Sequence, residues 1–158
     1  MKIVSAGLAL AFALAPAAHA QITCDDAGRL NASVLGDFES LVGEEVDDGL
    51  FETSLHMAGA QTCAIDLFAE PVHSCLWRFV SEQDAVATYN ANVSVLASCI
   101  AGWERQSAGQ GATSTSGTRM IAETRFIGQG AYVDVEWQLV VEQGADSGYR
   151  LWVELISF

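Results

Sequence analysis

The chain has 158 residues, of which 51 % are hydrophobic, and carries 20 Asp and Glu against 7 Lys and Arg, a net charge of −13. That length suits one ordinary domain. The charge argues against a nucleic-acid partner, since such binding rests on Lys and Arg neutralising phosphates, whereas a basic partner would be steered towards this surface.

Residues 1–20 read as a secretory signal peptide. Lys2 supplies the positive start, Ile3 to Leu14 the apolar stretch, and Ala18-His19-Ala20 a small-x-small cleavage site. No Cys sits at the cleavage point, which argues against a lipoprotein anchor. No later run reaches the ~20 apolar residues of a membrane helix. The expectation is a periplasmic or secreted single α+β domain over 21–158. Lys2 is the sole lysine, so that domain keeps six Arg against twenty acids, a balance of −14.

Asp25 to Val42 places Ala27, Leu30, Val34, Phe38 and Leu41 at helical spacing, which predicts one amphipathic helix despite Gly36 in its middle. Gly43 to Gly49 reads as an acidic turn. Strands are predicted over Leu50 to Met57, Gln61 to Phe68 and Ser74 to Val80, with Pro71 in a connection because it cannot donate to a sheet ladder. Ser81 with Asp84 forms a capping pair for a helix over Glu82 to Ile100. Glu104 to Thr118 is Gly/Ser-rich and polar, the composition of a loop. Arg119 to Ile127, Ala131 to Glu142 and Tyr149 to Phe158 then read as three strands, the middle one burying Val133, Val135, Trp137, Leu139 and Val141 on one face. No internal repeat is visible. The predicted fold is two helices on one face of an antiparallel sheet of five to six strands, in the order α-βββ-α-βββ.

Cys24, Cys63, Cys75 and Cys99 are even in number, lack C-x-x-C spacing and follow an export signal, which points to two disulfides rather than a metal. If short connections make the elements alternate in direction, Cys24 meets Cys63 and Cys75 meets Cys99; the competing pairing is Cys63–Cys75 with Cys24–Cys99. The same alternation gathers Glu44, Glu45, Asp47, Asp48, Glu70, Glu142 and Asp146 at one pole. Glu44 and Glu45 would lie at the end of the first helix, against its dipole, a placement suited to a basic partner or a cation.

Catalytic chemistry finds no foothold. There is no G-x-S-x-G, phosphate loop or dinucleotide fingerprint, and no motif requires a cofactor. His56 and His73 stand in separate segments, which does not suggest a metal site. Asp47-Asp48-Gly49 ahead of Glu52 falls short of a calcium loop. Asn31-Ala32-Ser33 and Asn92-Val93-Ser94 match the glycosylation pattern but fall in predicted helices. In the last strand Trp152 and Phe158 either pack under loops or form an interface patch. Glu154, on their face, and a count of only about six strands argue against a membrane barrel. The reading is an exported acidic protein that binds another protein, as an inhibitor, immunity factor or chaperone for a basic envelope-directed partner. The acidic pole with Trp152 and Phe158 would be its docking residues. The alternative is a small-ligand or calcium-binding module with its cleft between helices and sheet, and the third reading is an envelope hydrolase.

Overall fold

Thr23 starts the fold with a reciprocal cap: its hydroxyl accepts the Asp26 N–H at 3.1 Å while the Asp26 carboxylate accepts the Thr23 N–H. A computed structural model describes residues 21–108, 118–129 and 134–158. The expected signal peptide, most of the Gly/Ser-rich segment and the first residues of the strand expected from Ala131, Val133 included, lie outside those residues.

Helix α1 spans only Cys24–Ser33, followed by a 3-10 turn over Val34–Gly36. Asp37 and Phe38 then adopt positive φ of 48° and 62°, which no helix continues through. This break turns Phe38 into the core, where it is fully buried, and its N–H donates to the Ser33 carbonyl. Ala27, Leu30, Val34 and Leu41 are buried as well. The apolar spacing therefore named the core-facing residues correctly, but not the backbone beneath them.

The expected acidic turn is instead a strand, β1 (Val42–Asp47), paired antiparallel with β2 (Leu50–Thr53) across a turn where Gly49 takes φ 73°. Its charges and register shifts are those of an edge strand, protected from pairing with other chains. Beyond Thr53 the chain leaves the sheet, and Leu55 and Met57 are buried in the core. There follow β3 (Thr62–Asp66), β4 (Val72–Phe79) and helix α2 (Glu82–Cys99), whose Asp84 N–H is accepted by the Ser81 hydroxyl at 3.1 Å. A second strand missing from the sequence reading, β5 (Glu104–Ala108), occupies the start of the expected loop. Strands β6 (Arg119–Gln129), β7 (Asp134–Gln143) and β8 (Tyr149–Ser157) complete the fold.

The α+β class and the two helices stand. The count of five to six strands and the order α-βββ-α-βββ do not: the order is α-ββββ-α-ββββ in one eight-stranded antiparallel sheet, arranged β1-β2-β3-β4-β8-β7-β6-β5. Each helix is followed by its own four-stranded meander, and the two meanders join where β4 pairs with β8 from Val72↔Ile156 to Phe79↔Tyr149. This is a repeat of topology with no counterpart in the sequence. Both helices lie on one face. Asn31 of α1 accepts the Trp137 indole N–H at 2.9 Å, and the Tyr89 hydroxyl of α2 bonds Thr124 at 2.6 Å. Trp77, Trp137, Leu139, Val141, Leu151, Val153 and Leu155 fill the space between.

The disulfides are Cys24–Cys99 and Cys63–Cys75, which corrects the preferred pairing. The reason is β1. One additional strand after α1 reverses the direction of every element up to α2, so Cys63 lies away from the start of α1. Cys63 and Cys75 face each other directly across β3 and β4. The first residue of α1 is tied to the last of α2, which runs back towards it.

Candidate partner-binding face

The sheet has two ends. Ser157 donates to the Pro71 carbonyl and Leu67 to that of Gly49, so the β1–β2 turn, the β3–β4 connection and the chain terminus share the Pro71 end. The β7–β8 connection lies at the other, Gly148, end, beside the close of β4. The acidic residues are consequently not gathered at one pole. Asp47, Asp48 and Glu70 sit at the Pro71 end, with Phe158, which is 57 % exposed. Glu44 and Glu45 lie along the exposed β1 edge, well after the end of α1, so no helix dipole opposes them. Glu142 and Asp146 are at the Gly148 end and are already partnered. Arg150 reaches Asp146 at 3.1 Å and Glu142 at 3.9 Å. The Gly148 N–H and then Arg150 hold the Asp146 carboxyl below its ordinary range. Trp152 lies between the ends, half-buried, its indole N–H donating to Glu142 at 3.1 Å.

Trp152 points away from the helices, onto a face that neither helix covers among the described residues. Strand pairing fixes the neighbours on that face. One row runs Glu52, Ala64, Ser74, Glu154, Gln138 and Arg125 from β2 to β6. The adjacent row runs Thr62, Leu76, Trp152, Val140 and Glu123. Ala64 and Ser74 are short, so the surface dips there between larger neighbours. The result is a cleft of about 440 Å³ bordered by Val46, Leu50, Leu76 and Trp152, with Glu52 and Thr62 also lining it.

Acids and bases on this face are unevenly matched. Arg125 is held between Glu123 at 2.5 Å and Glu136 at 3.6 Å, and the hydrogen bond to Glu123 raises its pKa. Gln138 donates to the same Glu123 oxygen at 2.7 Å, so this buried carboxylate is satisfied. Glu154 differs. It is directly opposite Ser74, and no hydrogen bond or ion pair reaches its carboxylate among the described residues. Burial, and secondarily Glu142, push its pKa up.

Glu154, Glu52, Leu76 and Leu50 were not among the site residues expected from sequence. A signal existed for one of them: Glu154 places a charge between Trp152 and Ile156 on one face of the last strand. Its neighbours on the cleft depend on β1 and β2 being adjacent, which periodicity does not show. The two histidines do not converge on a site either. His56 is exposed, and His73 is fully buried on the helix side, with its Nε2 3.2 Å from the Leu55 carbonyl. Among the described residues no group of three or more His, Cys, Asp or Glu is arranged to hold a metal ion. Asn92 is buried and accepts the Ile22 N–H at 2.7 Å, and Asn31 is occupied by Trp137, so neither is a free loop acceptor for a glycan. No described helix is long and apolar enough to cross a membrane, and the two disulfides suit an oxidising compartment. No protein-family model matches the chain, and neither the curated proteins nor the solved structures contain a significant match.

Proposed function

We propose that this protein is a non-enzymatic, exported binding protein that docks a basic envelope-directed protein on the open face of its sheet, as an inhibitor, immunity factor or chaperone. The observation that carries the reading is the apolar cleft at Leu50, Leu76 and Trp152, set in an uncovered sheet face on a strongly acidic chain. Apolar pockets of this kind receive the few anchor residues that dominate affinity, while surrounding charge governs encounter rate and partner choice. The docking surface is therefore the middle of the sheet face rather than an acidic pole.

The test is capture of envelope proteins on the immobilised protein, comparing wild type with Trp152→Ala and with Ala64→Leu, which fills the cleft floor. A specific partner should be lost from both variants and should elute as salt is raised. Equal capture by all three proteins, or capture indifferent to salt, would count against the proposal. The cleft volume also supports a second reading, a small-ligand module, since ligand pockets commonly fall between about 300 and 1,000 Å³. Its location is on the outer face rather than between helices and sheet, where the core is filled. A ligand that binds only the native state must raise the melting temperature, and addition of calcium or a chelator checks the cation version in the same assay.

A further inference from the structure

We infer that the cleft receives a long-stemmed cationic side chain, a lysine or arginine, from the docked protein; this rests on the protein-binding reading and specifies its anchor. Two features of the face conflict unless such a group joins them. The cleft borders are Val46, Leu50, Leu76 and Trp152, which favour methylenes and exclude a bare hydrated charge. Yet the row that forms its floor, Ala64 and Ser74, is flanked by a carboxylate on each side, Glu52 and Glu154. A purely apolar anchor would leave the half-buried Glu154 carboxylate further desolvated and unpaired, which is costly. A short cation would reach the acids but leave the apolar walls wet. A lysine or arginine satisfies both requirements. Its stem lies along Leu76 and the Trp152 ring, as long basic side chains do on apolar surfaces, and its head reaches a carboxylate.

Among the described residues no arginine makes an ion pair with Glu52 or Glu154, and Arg78, on the same face, sits a row beyond Leu76, opposite Arg150. Arg150 is engaged with Glu142 and Asp146, and Arg125 with Glu123 and Glu136. Trp152 is held by its bond to Glu142, which steadies the ring as an apolar and cation–π platform.

Calorimetric titration with four short homopeptides tests this: lysine, arginine, 2,3-diaminopropionic acid (the same charge on a one-carbon stem) and acetyl-lysine (the same stem without charge). The lysine or arginine peptide should bind about tenfold or more tightly than the other two. That preference should disappear in Trp152→Ala, in Glu154→Gln and in the cleft-filling Ala64→Leu, each checked for an unchanged circular-dichroism spectrum. Equal binding of the short-stemmed peptide would show that charge alone acts and overturn the inference. So would equal binding of the acetylated peptide, which would make the cleft a neutral apolar site, or no binding by any peptide. Those outcomes are separable from failure of the docking proposal, which is read from partner capture and involves no peptide.

Discussion

His73 should make this protein acid-sensitive by a definite amount. Its ring is fully buried beside Phe38, with centroids 6.3 Å apart, and Nδ1 has no hydrogen-bond partner while Nε2 faces the Leu55 carbonyl. Burial, opposed in part by the Leu55 hydrogen bond, lowers its pKa from 6.5 to about 4. The folded state thus resists a proton that the unfolded chain accepts. Above pH 6.5 this has no effect on stability. As pH falls from 6.5 to 4 the unfolded state gains the proton first, and stability drops by about 1.4 kcal/mol per unit, or roughly 3 kcal/mol in all. Below pH 4 both states are protonated and the loss is complete. Urea unfolding of wild type and His73→Gln at pH 7 and pH 4.5 isolates this contribution, because the remaining titrating groups cancel in the double difference. Wild type should lose about 2–3 kcal/mol more than the variant between those pH values. An identical loss in the two proteins, or an NMR titration placing His73 near pH 6.5, would refute the reasoning.

Glu154→Gln should raise the melting temperature at pH 7, because the carboxyl held above its ordinary pKa stabilises the fold only when protonated; the gain should vanish as pH falls below that range. Thermal scans at pH 7 and pH 4 check both sign and window. Gly128→Ala should destabilise by about 1–3 kcal/mol in urea titration, since a Cβ there would overlap the Trp103 indole, a ring rather than a flexible chain end. Removing Cys24–Cys99, whose ends are 75 positions apart, should cost about 4.5 kcal/mol by loop-entropy arithmetic, against about 3 kcal/mol for Cys63–Cys75, 12 positions apart. Paired Cys→Ser variants compared by denaturant midpoint would reverse that order if local geometry governs.

What could be read from the sequence depended on burial. The α1 stripe, the alternation of β7 and the Ser81 cap were visible because apolar periodicity and cap chemistry are local. The edge strands β1 and β5 were not, because edges carry charge in place of an apolar face: Glu44, Glu45 and Asp47 on one, Glu104 and Arg105 on the other. Missing β1 had a consequence out of proportion to its six residues. Each strand in an antiparallel meander reverses the chain, so one omission inverts every element that follows it through α2. The disulfide pairing and the single acidic pole were both derived from that alternation, and both were displaced by it. Pairing depends on the parity of reversals, which composition does not report. The repeat of helix and four strands escaped for a related reason, since its two halves preserve topology while their sequences share no periodic motif.

Strand β8 carries the functional argument further than any acidic turn. Its inward residues Leu151, Val153 and Leu155 are fully buried beneath the helices, as the centre of a sheet requires. Its outward residues include Trp152 and Ile156, and outward from its partners come Leu76, Val72 and Val140. A sheet with one wet face ordinarily alternates apolar with polar there. Here the outward apolar residues concentrate on the β4–β8–β7 centre, while the acids Glu52, Glu136 and Glu142 lie around them. The apolar row Leu76, Trp152 and Val140, bordered by the polar row Ser74, Glu154 and Gln138, is the part of this face on which the docking proposal builds. Glu154 breaks that centre at the position where a helix-covered strand would have placed a leucine or valine. Burial raises its pKa and no ion pair reaches it among the described residues, so under the proposal an incoming cation would be its first charged partner.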